Sequence, residues 1–231
     1  MHQSISKKRI YFYLLVLLLL SSTFNFNIIT KIKKINLISN INILGLSEKE
    51  KIILEKKLEI FINKNIFLIN REEIEEKLKK NNFLENYNVV KVFPSRLLVN
   101  VKKTEFVGKT ILDGKKFYIG KNGKLTKIFL VEKEYDLPQV FGSFEVKEFL
   151  RLQEILNNNN FNLSKIKKYY YYKSNRWDIQ NIDNIILMLP AQNIEKSLKN
   201  YRSLLTANKI IPGNLIDLRI KNKIIVTNEK R

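Results

Sequence analysis

The chain has 231 residues, 45% of them hydrophobic and 28% charged, which is enough to bury the core of one or two domains. It contains no cysteine, and its single histidine is His2, so disulfides, a thiol nucleophile, a histidine triad and a Cys/His zinc site are excluded. The net charge of +20 would suit an anionic partner such as nucleic acid. However, Lys, Asn and Ile are all abundant, as in proteins from A+T-rich genomes, so the charge alone is weak evidence for such a partner.

The amino-terminal segment has the pattern of a membrane anchor. A basic stretch at 7–9 precedes "IYFYLLVLLLLSSTFNFNII" at 10–29, and about twenty apolar residues span a bilayer as a helix. The most strongly apolar part, 10–20, has the length of a signal-peptide core, but the residues at 21–23 imitate a cleavage site poorly. We therefore predict an uncleaved anchor over 10–30, with a cytoplasmic tail of residues 1–9 and the remainder outside the cytoplasm. A cleaved signal peptide is the alternative.

The next segment predicts a small α+β unit over residues 31–105. "NINILGL" at 40–46 predicts a strand that ends at Gly45. Ser47 with Glu50 forms a capping box for one helix, and Asn70 is typical of the start of a second. "NIFLI" between these helices predicts a short extended run.

A hairpin, "VVKVFPSRLLVNVKK" at 89–103, completes this unit with its turn at Pro94. Side chains alternate between the two faces of a strand, so the second arm should be amphipathic. The inward side chains should be Leu97, Val99 and Val101, and the outward ones Arg96, Asn100 and Lys102. We expect the apolar face to be the surface on which the two helices pack, in the order β-α-(β)-α-β-β.

Residues 106–228 predict a mainly antiparallel β-domain with flanking helices, followed by a short tail at 229–231. Asn122-Gly123 indicates a hairpin turn, and 177–190 predicts paired strands. Helical periodicity occurs at 146–156 and 194–205. "KIKKYYYYKSNRW" at 165–177 would suit a basic-aromatic RNA surface, but an amphipathic strand is the better interpretation. The predicted fold class is α+β.

The sequence contains no recognisable catalytic constellation. Its acidic residues lie mostly on predicted helix faces, and seven glycines form no phosphate-binding loop. We therefore expect no enzyme activity, no cofactor, no metal, no small-molecule substrate and no nucleic-acid partner.

Five motifs in the right order resemble the bacterial cell-division family FtsQ, also called DivIB. They are "INILGL", "VFPSRLLVNVK", "LPQVFG", "RWDI" with "ILMLP", and "IDLRIKNKIIV". Three features depart from the family pattern. Lys103 stands where the family usually has Glu, Phe106 stands where it usually has Pro, and "GKNG" at 120–123 replaces an Asp-bearing turn. The resemblance implies a membrane anchor, a POTRA domain (polypeptide-transport-associated, an α+β module) and a following β-domain.

The resemblance also implies a non-enzymatic scaffold at the division septum. Such proteins bind the partners FtsB and FtsL, contact other components of the division machinery, and link early division proteins to septal peptidoglycan synthesis. In the family the last β-strands carry the FtsB contact. The matching positions in this chain are Arg219, Ile220, Asn222, Lys223, Ile224, Ile225, Val226, Thr227 and Asn228.

The position of these residues near the end of the chain also supports a binding site here. A strand near the end of the chain tends to lie at a sheet edge, where an extended peptide can add to it. Arg219 is our candidate for pairing with a carboxylate of the partner. The alternative is that the flanking lysines only protect the edge from aggregation. Another function also stays open, namely an envelope secretion or assembly factor that uses a POTRA-like module.

Overall fold

The computed structural model describes residues 7–22, 36–206, 214–221 and 223–228. The helices in these ranges are α1 (Lys7–Ser22), α2 (Glu48–Leu58), α3 (Arg71–Lys79), α4 (Val146–Asn158) and α5 (Ile194–Thr206). Strands of the first sheet are β1 (Asn40–Leu44), β2 (Leu84–Val92) and β3 (Arg96–Lys103). Strands of the second sheet are β4 (Phe106–Leu112), β5 (Lys115–Gly120), β6 (Leu125–Lys127), β7 (Gln139–Phe141), β8 (Ile166–Tyr172), β9 (Arg176–Asn181), β10 (Ile186–Met188), β11 (Asn214–Asp217) and β12 (Ile225–Asn228).

The first sheet has the order β1-β3-β2, with β1 parallel and β2 antiparallel to the central β3. Leu97, Val99 and Val101 of β3 are buried, in one core with Leu54 of α2 and Ile74 of α3. The predicted facing of the hairpin is therefore confirmed, and its apolar face is the surface that the two helices cover.

Local signals explain where the helices of this unit begin. Before α2, the Glu50 carboxylate accepts hydrogen bonds from Ser47 N at 3.3 Å and from Ser47 Oγ at 2.5 Å. Before α3, Asn70 Oδ1 accepts from Glu72 N at 3.1 Å. The extended run expected at 65–69 is instead a turn, in which only Asn65 forms a β-bridge, to Leu37. Of its apolar residues, Ile66 and Ile69 are buried in the core, whereas Phe67 and Leu68 are exposed.

The second sheet has nine strands in the order β12-β11-β10-β9-β8-β7-β4-β5-β6. Five neighbouring pairs are antiparallel, and the three parallel pairs are β4–β7, β7–β8 and β10–β11. Phe149 and Leu152 of α4 and Leu198 and Tyr201 of α5 are buried in its core. The helices that the periodicity predicted at 146–156 and 194–205 are thus confirmed.

The two sheets meet through polar and aromatic contacts around Lys103. The Lys103 ammonium pairs with the buried Glu50 carboxylate and lies 5.5 Å from the ring centres of both Phe106 and Tyr135. The predicted turn at Asn122 adds a second link, because Asn122 Nδ2 donates to the carbonyls of Asn82 and Leu84. The three departures from the family pattern, which are Lys103, Phe106 and the turn at 120–123, therefore lie at this junction.

Helix α1 has exposed apolar side chains on every side, including Tyr11, Leu15 and Leu18. It is 16 residues long. Among the described residues, no helix has both the length and the apolar character needed to cross a membrane. The span expected over 10–30 is therefore not seen, and its second part lies outside the described residues.

Candidate partner-binding edge

The last described strand, β12, forms one edge of the nine-stranded sheet. It pairs antiparallel with β11, with Val226 opposite Ile216 and Ile225 opposite Asp217. All four of its residues are exposed, Ile225 by 44% and Val226 by 41%. The prediction that the final strand lies at a sheet edge is therefore confirmed. Its outward backbone groups present a template to which an extended peptide can pair.

Val226 ends a row of buried side chains that crosses the sheet on the face covered by the helices. The register aligns, from the edge inwards, Val226, Ile216, Leu187, Ile179, Tyr169 and Val140. All of these except Val226 are buried. A further strand added at the edge would therefore continue this row and cover Val226.

The opposite face of the same strands is polar. Ile225 stands opposite Asp217, which is followed across the sheet by Met188 and Asp178. Burial raises the pKa of the Asp178 carboxyl, while Tyr172 and Arg176 oppose this rise. Asp178 Oδ1 lies 3.9 Å from Arg176 Nε. A partner side chain on this face would first meet the exposed Ile225, with the buried Asp217 carboxyl on the next strand.

Arg219 was expected to pair with a carboxylate of a partner, and in the structure its guanidinium is already paired with the Asp217 carboxylate. Arg219 Nε and Nη2 donate to the two Asp217 oxygens at 2.8 and 2.5 Å, and Arg219 N donates to Asp217 Oδ1 at 2.9 Å. These hydrogen bonds hold the pKa of Asp217 below its usual value. The sequence did not lead us to predict Asp217 as the partner of Arg219, although side chains two positions apart in an extended segment lie on the same face.

The other predicted site residues lie in the connection between β11 and β12. Ile220, Lys223 and Ile224 belong to this connection, and Ile224 packs against the core of the second sheet. Asn222 lies outside the described residues. A groove runs between this connection and α5, and its basic lining residues are Lys196, Arg219, Lys221 and Lys223. No acidic residue lines this groove in the described part of the chain, so it favours an acidic partner segment.

Comparison with known proteins identifies both parts of the chain. Residues 36–103 match the family model of the FtsQ-type POTRA domain, and residues 111–219 match that of the FtsQ/DivIB carboxy-terminal region. Strand β12 therefore lies beyond the matched range.

Similar proteins agree with these matches. The cell-division protein FtsQ of Rickettsia bellii is 26% identical over 170 residues, which are 70% of this chain and 61% of that protein. FtsQ of Bradyrhizobium diazoefficiens is 20% identical over 167 residues, which are 70% of this chain and 48% of that protein. The chain thus spans less than two thirds of the length of these relatives. The solved extracytoplasmic domain of DivIB from Geobacillus stearothermophilus aligns with 47% of this chain and with 96% of the solved domain. The sequence identity is 14% and the TM-score is 0.33. On the two family models, which together match most of the chain, the chain belongs to the FtsQ/DivIB family of bacterial cell-division proteins.

Proposed function

We propose that this protein is a non-enzymatic division scaffold that binds FtsB- and FtsL-like partners and links early division proteins to septal peptidoglycan synthesis. Membership of the family supports a role in cell division. The partner site rests on one observation, which is the exposed edge strand β12 with Val226 at the open end of a buried row. The proposed site comprises Arg219, Ile220, Asn222, Lys223, Ile224, Ile225, Val226, Thr227 and Asn228.

The binding free energy of a strand added at β12 would come from backbone hydrogen bonds and from burial of apolar side chains. In an antiparallel edge strand every second residue directs its N–H and C=O outward, so four residues offer about four new hydrogen bonds. Each contributes roughly 0.5–1.5 kcal/mol net, which gives only a few kcal/mol together. Burial of the exposed parts of Val226 and Ile225 would add about 0.8 kcal/mol per CH₂. The partner strand should therefore carry an apolar residue beside Val226.

The basic groove beside the edge would supply orientation. Arg219 is already paired with Asp217, so the lysines Lys196, Lys221 and Lys223 are the cations that would meet acidic partner residues. Such exposed pairs contribute little affinity each but favour one register of the added strand. Arg219, through its hydrogen bonds to Asp217, would instead hold in place the connection that leads into β12.

A proline at Ile225 tests this site. It removes one N–H of the edge strand and distorts its backbone, so affinity for the extracytoplasmic segment of an FtsB-like partner should fall at least about tenfold. The matched control is Lys127→Pro in β6, at the opposite edge of the same sheet, where φ is already −59°. Titration of both folded variants against the partner decides the question. Wild-type affinity of the Ile225→Pro protein would show that β12 is not the site.

We further propose that residues 10–30 anchor the protein in the plasma membrane, with residues 1–9 in the cytoplasm and the rest outside it. The exposed apolar side chains of α1 support this location. A tagged copy should concentrate at the septum of dividing cells, and protease added to cells with a permeable outer layer should digest the part beyond residue 35. A mature amino terminus near residue 24 would show a cleaved signal instead of an anchor.

A further inference from the structure

Only two residues connect the two sheets. β3 ends at Lys103 and β4 begins at Phe106, so the connection consists of Thr104 and Glu105. Domains joined by a short connection ordinarily move relative to each other unless a large apolar interface holds them. The turn at Asn122 holds one side of this connection, at the start of β2. The contacts on the other side, next to α2, therefore decide whether the two sheets can move.

That other side is covered by a segment that we call the strap, residues 128–138, which connects β6 to β7. Apart from one 3-10 turn at Ile128–Leu130, it contains no helix or strand. Val131 of the strap is 4% exposed and belongs to the same core cluster as Leu54 and Leu58 of α2. The strap therefore leaves the second sheet and packs against the first.

Aromatic contacts attach the strap to both sheets. The rings of Phe106 and Tyr118 have their centres 5.0 Å apart, and each lies 5.5 Å from the ring centre of Tyr135 in the strap. Tyr135 N donates to the Tyr118 hydroxyl at 3.1 Å. The Lys103 ammonium at the end of β3 lies 5.5 Å from the Tyr135 ring centre. One segment thus contacts the last residue of β3 and the first strands of the second sheet.

Glu132 joins the strap to the beginning of α2. Lys49 N, in the first turn of this helix, donates to Glu132 Oε2 at 3.2 Å. The N–H groups of a first helical turn have no partner within the helix, so a carboxylate from another segment can accept from them. This hydrogen bond, together with one from the Ser47 side chain, holds the pKa of Glu132 below its usual value. Glu132 is exposed, so its charge can be changed without opening a cavity in the core.

We propose that the strap locks the two sheets into one rigid body, and that Glu132 is the releasable contact that closes this lock. With the strap in place, the connection at 104–105 is held on both sides, and neither sheet can tilt against the other. Without it, only the Asn122 turn remains, and the two-residue connection becomes a hinge. This inference does not depend on partner binding at β12, because β12 lies at the opposite edge of the sheet from β5 and β6.

The absence of cysteine from the chain allows two spin labels to be placed without further changes. The experiment uses the full chain in mild detergent with Glu76→Cys on α3 and Glu154→Cys on α4, both at exposed positions. Electron–electron double resonance should give one narrow distribution of distances between the labels. Glu132→Lys puts a cation at the positive end of α2, beside Lys49, and should broaden this distribution severalfold. The matched control, Glu134→Lys, makes the same charge change at an exposed neighbour and should leave the width unchanged.

A second pair of labels separates release of the strap from unfolding. Glu76→Cys with Lys102→Cys lies within the first sheet and its helices, and its distribution should stay narrow in Glu132→Lys. If this inner pair also broadens, Glu132→Ala, which removes the acceptor without adding a charge, takes the place of Glu132→Lys. A broad distribution in the parent would overturn the proposal. So would a variant at 132 that keeps the inner pair narrow and shows the same width between the sheets as the control at 134.

Discussion

Replacing Lys103 by methionine should destabilise the protein more than any other change of a lysine on β3. Its ammonium is the cation paired with Glu50, whose carboxylate is buried between α2 and β3. Methionine keeps the apolar stem and most of the volume of lysine but removes the charge. The variant therefore leaves a buried carboxylate without its counter-ion.

The magnitude follows from the contacts of that carboxylate. Removing one partner of a buried ion pair costs about 3–5 kcal/mol. Two donors from Ser47 remain on Glu50, and the Lys103 side chain is 19% exposed, so water can replace part of the lost interaction. Loss of the ammonium from its position near Phe106 and Tyr135 adds about 0.5–1 kcal/mol. We expect a loss of about 2–4 kcal/mol in the free energy of unfolding.

Denaturant unfolding of the full chain in mild detergent measures this loss. Lys102→Met is the matched control, because Lys102 is the exposed neighbour on the outer face, and its effect should stay within about 0.5 kcal/mol. A double-mutant cycle with Glu50→Gln isolates the pair, which should show a coupling energy of about 1–3 kcal/mol. If Lys103→Met and Lys102→Met unfold at the same denaturant concentration, the inferred role of the pair is wrong.

Three further predictions concern stability. Val99→Ala removes two methyl groups from a fully buried site and should cost about 2–3 kcal/mol, whereas Asn100→Ala on the outer face should cost less; the reverse order in denaturant melts would contradict the observed facing. Gly45→Ala should cost at least about 2 kcal/mol more than Gly114→Ala: both glycines have positive φ, but a Cβ at Gly45 would lie 2.0 Å from the Val101 carbonyl oxygen, and one at Gly114 meets nothing. Burial raises the pKa of Tyr169 from 10.0 to about 12, so the unfolded chain loses this proton first and stability should fall across that interval. Tyr169→Phe should flatten the alkaline part of the curve of unfolding free energy against pH, and an unchanged slope would refute this assignment.

Local sequence patterns were sufficient for the elements whose signals lie within a few residues. The Ser47–Glu50 box, the cap at Asn70 and the turn at Asn122-Gly123 all occur where their residue types predict them. The alternation in β3 predicted its buried face because the period of a strand is fixed by backbone geometry. At 65–69 the same kind of reasoning failed, because an apolar run of five residues does not distinguish a strand from a packed turn.

The contents of the candidate site depended on contacts between distant residues. The sequence predicted that the chain would end in strands at a sheet edge, and the edge is there. It did not predict that the Arg219 guanidinium would donate to the Asp217 carboxylate, because that contact depends on the path of the chain after β11.

The sequence by itself determined the apolar amino terminus, the α+β unit and the family motifs, since each is written in neighbouring residues. Only the tertiary structure decided that Lys103 faces Glu50, 53 positions earlier in the chain, and that Val226 completes a row crossing six strands. It likewise decided that Phe67 and Phe93 stack at one end of a sheet. The physical reason is that strand order and register bring together residues whose separation along the chain carries no periodic signal.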